Sequence, residues 1–128
     1  MPVTTILVCG DRNWTNRQSI VNEMEFLRTL YPVGEGGNVI TIVHGDCRGA
    51  DKTVGEVAES LGFDVIAVPA AWEQYGKGSG PIRNMKMFDE NKPFMVLAFH
   101  SDIENSKGTK HMIGYARKNG CPVRLVTK

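Results

Sequence analysis

Arg48 stands where simple electrostatics disfavours a cation. It lies in His44-Gly45-Asp46-Cys47-Arg48-Gly49-Ala50-Asp51, directly after the apolar run Val39–Val43 and directly before a helical pattern. That position is the positive end of the helix dipole, and an anion placed between helix and arginine resolves the repulsion. Gly45 and Gly49 let such an anion approach the main chain, and the unpaired N–H groups of a helix's first turn point at it. The chemistry that suits this pattern is phosphate binding. Ser79-Gly80-Pro81-Ile82-Arg83-Asn84 repeats it, with a cation and an amide able to recognise a hydroxyl or a base edge. Arg12, after Gly10 and Asp11, adds a third cation, and Trp72 beside Tyr75 offers a stacking surface, whereas Trp14 suits packing. Two such turns in one short chain point to a nucleotide or another phosphorylated small molecule. Their plainer reading is glycine-rich turns with capped helices and, for Arg12, a solvated turn. Neither block is a Walker A loop or a G-x-G-x-x-G fingerprint.

Other chemistries are less well served. Cys47, near a helix N-terminus and Arg48, with His44 three residues earlier, makes a nucleophilic pair conceivable, but no third group orients it. His44, His100 and His111 with the cysteines show no zinc spacing. Asp46 and Asp51 could hold a magnesium ion beside a phosphate, although capping and arginine pairing explain them equally. No cofactor is required.

The elements that must position these residues alternate regularly. Apolar runs at Thr4–Cys9, Val39–Val43, Asp64–Val68, Phe94–Phe99 and Val123–Val126 are nearly continuous, as in strands covered on both faces. A first helix, capped by a Thr15/Gln18 box, carries Ile20, Met24 and Leu27 on one face as far as Leu30. A second follows Gly49 with Val54, Val57, Ala58 and Leu61, and stops at Gly62. A third begins at Pro81 and carries Ile82, Met85 and Phe88. A fourth follows Thr109 with Met112, Ile113 and Ala116. Strand and helix in alternation predict a single Rossmann-like α/β three-layer sandwich over residues 1–128, with a mostly parallel five-stranded sheet. In such a sheet the segments Gly10 to Arg12, His44 to Asp51, Trp72 to Asn84 and His100 to Thr109 follow strand C-terminal ends, so all four share one rim.

Bulk properties narrow the class. The chain has 128 residues, 41% hydrophobic and 23% charged, with a formal net charge of +1. This is the size and composition of one ordinary globular domain, without the basic excess of a dedicated polyanion binder. Three cysteines without C-x-x-C spacing favour reduced thiols and a cytoplasmic location. No stretch reaches membrane-spanning length, and no signal peptide is evident.

Taken in order, these blocks resemble the SLOG superfamily, which includes LOG-type nucleotide phosphoribohydrolases and DNA-processing protein A, and in particular its YspA/YpsA-related branch. The matching pieces are Cys9-Gly10-Asp11-Arg12 with Trp14, Val43 through Asp51, Pro69-Ala70-Ala71-Trp72, Tyr75-Gly76-Lys77, Gly80 through Met85, and Ala98-Phe99 leading to Gly108-Thr109. The resemblance implies binding of a nucleotide or nucleotide-derived ligand at the rim, with self-association into a homo-oligomer. It assigns phosphate and ribose to Gly45, Arg48, Gly49, Arg83, Gly108 and Thr109, with Gly10, Arg12, Asp46, Asp51, Trp72 and Asn84 nearby. LOG-type enzymes cleave an N-glycosidic bond with an R-N arginine and a glutamate in P-G-G-x-G-T-x-x-E. Arg83-Asn84 resembles the first element. The second is degraded, and Met112 stands where the glutamate would be. A thioether cannot stabilise an oxocarbenium ion or activate water. A hydrolase would therefore need Arg83 with Asp102 or Glu104. A third reading, single-stranded nucleic-acid binding through Arg12, Lys77, Arg83 and Lys86 with Trp72 and Tyr75, is the weakest, given the near-neutral charge.

Overall fold

The computed structural model describes residues 3–31, 39–70 and 78–128. Along the chain these form β1 (Val3–Gly10), α1 (Arg17–Leu30), β2 (Val39–His44), α2 (Ala50–Ser60), β3 (Asp64–Ala67), α3 (Ser79–Asn91) and β4 (Met95–Phe99). A short 3-10 turn (Ile103–Asn105), α4 (Gly108–Lys118) and β5 (Val123–Val126) complete the order. The five strands make one sheet in the order β3-β2-β1-β4-β5, every pair parallel. Val8 pairs with His44 and Leu97, His44 with Ala67, and Phe99 with Gly10 and Val126, so the strand C-terminal ends form one edge.

Side-chain alternation along each strand divides the interior in two. Ile6, Val8, Ile40, Ile42, Leu97 and Phe99 face α1 and α2, meeting Ile20, Met24, Leu27, Val54, Val57 and Ala58. Leu7, Cys9, Val43, Val96 and Ala98 face α3 and α4, meeting Met87, Phe88, Met112, Ile113 and Ala116. The result is a Rossmann-like three-layer sandwich. Trp14 is buried, edge-on against Phe99 at 5.7 Å, so it packs at the rim.

Two expectations need correction. Only the inner strands are covered on both faces; in β3, Asp64, Ile66 and Ala67 are exposed, and β5 is only partly covered. Two helices packed about 10 Å apart have their axes only about two strand spacings of about 4.8 Å apart, so they centre on the inner strands and leave the edge strands less covered. Nor does Thr15 cap α1. Asn16 does, its side chain accepting from Ser19 N at 3.2 Å, while Gln18 turns away to Asn22. Trp14 Nε1 and Ser19 Oγ both donate to the Asn16 carbonyl, which places that residue at the cap. Replacing Asn16 with alanine is expected to cost about 1 kcal/mol, read as a lower urea midpoint at unchanged slope.

At the other boundaries the difference is a residue or two. The structure starts α3 at Ser79, which leaves Pro81 inside the first turn, and α4 at Gly108.

Candidate functional site

The 45–51 loop leaves β2 at the sheet's C-terminal edge and is folded around its own anion. Asp51, at the start of α2 and 5% exposed, accepts hydrogen bonds from Gly45 N (3.0 Å) and Cys47 N (3.3 Å) on one carboxylate oxygen. Ala50 N goes instead to the Asp11 carbonyl (3.1 Å), and Asp46 N to His44 Nδ1 (3.0 Å). Amides that the sequence assigns to a ligand are thus largely committed within the protein. Those of Arg48 and Gly49 have no hydrogen-bond partner among the described residues.

Close packing explains the glycines. Gly49 has φ +79°, and a Cβ there would lie 2.4 Å from the Arg12 backbone. A Cβ on Gly45 would strike the Arg83 guanidinium, and one on Gly10 would strike Ala50 and the Phe99 carbonyl. The first turns after β1 and β2 are therefore locked backbone to backbone.

Burial pushes the Asp51 carboxyl up from 3.8 to about 6, against the Cys47 N–H, the Arg83 charge and the Gly45 N–H. Below about pH 4 folded and unfolded chains both hold this proton. Between about pH 4 and pH 6 only the folded chain does, so Asp51's contribution to stability falls as pH rises through that window and is then constant. The difference amounts to about 3 kcal/mol. Urea titrations across the window should show that slope in the native chain and lose it in Asp51→Asn. Equal slopes in the two proteins would contradict it.

Arg83 reaches across from α3 to the same loop. Its Nη1 donates to the Gly45 carbonyl (2.6 Å) and to the Val68 carbonyl (3.3 Å), and its Nη2 lies 3.9 Å from Cys47 Sγ. Arg48 Nη2 donates weakly to Asn13 Oδ1 at 3.4 Å. Arg12, Arg48 and Arg83, with Gly45, Asp46, Cys47, Pro69 and Ala70, line a cleft of about 480 Å³. None of the three arginines forms an ion pair with a carboxylate among the described residues. Asp46, the carboxylate in the lining, is bonded to Lys52 at 2.9 Å, and that bond holds its pKa below the usual range. The cleft thus gathers three guanidinium groups without carboxylate ion pairs among the described residues, a surface suited to an anion.

The remaining described candidates fall outside this lining. Asn84 is buried and spends its amide inside the protein. Thr109 is buried at the start of α4, where Ser106 Oγ accepts from Thr109 N at 3.1 Å. Gly108 is exposed, its carbonyl held by Asn84. Trp72, Tyr75 and Lys77 lie outside the described residues. Lys86 is exposed and within 4.0 Å of Glu90.

His44 is buried with Nδ1 engaged by Asp46 N, and burial holds it below the ordinary histidine pKa. It makes no hydrogen bond to Cys47, whose Sγ faces the Gly45 carbonyl and Arg83. Met112 is fully buried in the core, while Asp102 is bonded to Asn105 and Glu104 to Lys110, both away from the cleft. Asn13 and His111 gave no sequence signal for this site, and Pro69 and Ala70 entered only through the family-like block Pro69–Trp72. Only their proximity in the folded chain ties them to the arginines.

A known family's pattern covers residues 4–75, more than half of the 128. The chain belongs to the YspA, cpYpsA-related SLOG family. The SLOG match takes in β1 and the whole 45–51 loop but stops before Arg83. The Gene 61 protein of Mycobacterium phage D29 is 32% identical over 123 residues, covering 92% of each chain. In fold, this SLOG chain is similar to DNA processing protein A from Streptococcus pneumoniae, with a TM-score of 0.54 at 15% identity. That likeness covers 98% of this chain but only 59% of the larger protein.

Proposed function

We propose that this SLOG protein binds a nucleotide or nucleotide-derived phosphorylated ligand in the arginine-lined cleft and acts as a sensor, sequestering protein or regulator in the cytoplasm. One observation carries the reading: Arg12, Arg48 and Arg83 line one cleft, and none of them is ion-paired with a carboxylate among the described residues. Guanidinium forks match phosphate oxygens, and family membership makes a nucleotide the natural carrier of that phosphate. Because Asp51 already fills the inner amides, the ligand's phosphate sits further out, on the arginines and the Arg48 and Gly49 amides. The arginines supply the charge, so no cofactor is needed.

Turnover has less support, because the lining carboxylate Asp46 is tied to Lys52 and Met112 occupies core. Pairing between copies belongs to the same proposal. Phe26 and Leu30, one turn apart on α1, are about half exposed and supply apolar surface for it. No helix among the described residues is long and apolar enough to cross a membrane.

Calorimetry with nucleoside mono- and diphosphates, dinucleotides and cyclic ADP-ribose-type molecules tests the binding. At least one ligand is expected to bind, with affinity falling as salt rises. No heat from any member of the panel would overturn the proposal. Mass spectrometry of the bound molecule then separates an intact nucleotide from released base.

A further inference from the structure

We propose that His111 and Asn84 act in series as positioning residues for Arg83, fixing its guanidinium plane over the cleft from the side of α4; the purpose of this device rests on the phosphate-binding reading above. Asn84 Oδ1 accepts from Arg83 Nε at 3.0 Å, and Asn84 Nδ2 donates to the Gly108 carbonyl at 3.3 Å and lies 3.4 Å from His111 Nδ1. Arginine Nε can only donate and a peptide carbonyl can only accept, so the Asn84 amide has a single satisfactory orientation. That orientation presents an N–H to His111, which must therefore keep a bare nitrogen at Nδ1 and carry its proton on Nε2.

The chain of contacts continues into the cleft. With Nε anchored on Asn84 and Nη1 on the Gly45 and Val68 carbonyls, the guanidinium cannot rotate, and Nη2 remains beside Cys47 to meet a ligand. Asn84 is only 5% exposed and sits behind the arginine, so it serves the ligand through Arg83 rather than by touching it.

Protonating His111 would set an N–H at Nδ1 against the N–H of Asn84. The amide must then turn over, and a turned amide would aim a second donor at Arg83 Nε. Other charged or titratable groups surround the ring. Tyr115 stacks on it at 6.4 Å with its hydroxyl on Asp89 of α3, and Arg83 stands behind Asn84. On α4's own side are Lys107, whose carbonyl accepts the His111 amide, and Lys110, paired with Glu104 of the 3-10 turn.

The test compares the Arg83 Nε–H resonance of the nitrogen-15-labelled, ligand-free protein with that of His111→Leu and His111→Gln at one neutral pH. In His111→Leu, which takes away the acceptor facing Asn84, the resonance is expected to move and to exchange faster with water. In His111→Gln, whose side-chain oxygen can accept from Asn84, it is expected to stay near the wild-type position. A resonance unmoved in His111→Leu, or one that moves equally in both variants, would overturn the proposal.

Affinity for adenosine monophosphate, measured alongside, should fall about 10-fold in His111→Leu, the loss of about one charge-assisted hydrogen bond, and be largely kept in His111→Gln. An Arg83 resonance that tracks His111 in a protein that binds no nucleotide would support the positioning role and refute the functional reading. The two ideas therefore fail separately.

Discussion

Arg83→Ala is expected to weaken binding of the tightest nucleotide by about 30- to 100-fold, the loss of one or two charge-assisted hydrogen bonds to phosphate. Three neighbours hold the side chain in place, Asn84 at 3.0 Å, Gly45 at 2.6 Å and Val68 at 3.3 Å, so little conformational freedom is left to lose when a ligand arrives. The bonds to Gly45 and Val68 tie α3 to the loops after β2 and β3, and the alanine variant should also lose about 1–2 kcal/mol of stability. Affinity must therefore be measured well below the variant's melting temperature. Arg83→Lys separates charge from shape. Its ammonium keeps the cation but cannot hold the fork, and affinity should lie between the two. Unchanged affinity in a folded Arg83→Ala protein would place the ligand elsewhere.

Gly49→Ala should be the most damaging small substitution in the loop, lowering stability by at least about 3 kcal/mol. Two independent penalties combine there. The residue has φ +79°, where a side chain is strained, and the added Cβ would lie 2.4 Å from the Arg12 backbone, which cannot swing aside as a side chain can. For a chain of this size the melting temperature should fall by about 10 °C or more. Gly108→Ala is the matched control. A Cβ there meets nothing within 4 Å, and alanine favours the helix. Its melting temperature should hold within about 2 °C. A Gly49→Ala protein that melts like the native chain would mean the two turns are not locked as described.

Both predictions concern residues the sequence had already singled out, but for partly different reasons. Arg48 and Arg83 were legible as cations at helix N-termini, and the structure brings both to the one cleft. Gly49 was legible as a glycine beside a phosphate turn, yet the atoms it makes room for belong to Arg12 and Asp11. Asn84 read as a ligand contact because it follows Arg83. In an α-helix, adjacent residues point about 100° apart, so one faces the cleft and the other faces α4.

Local periodicity by itself determined the order of strands and helices, the layer architecture and the rim where the unusual residues gather, because hydrophobic spacing and glycine turns act over a few residues. Partnerships across the chain were left to tertiary structure. Asp51 had to fold back on Gly45 before it was clear that the loop carries its own anion. Met112 reads as a lost carboxylate in a motif, but only packing against Leu7, Val43 and Ala98 shows it to be core. Arg83 meets a carbonyl 38 residues away and Asn84 an imidazole 27 residues away. Such contacts depend on how the helices dock on one sheet, and hydrophobic burial, which drives that docking, is non-directional and does not specify which polar atoms will meet.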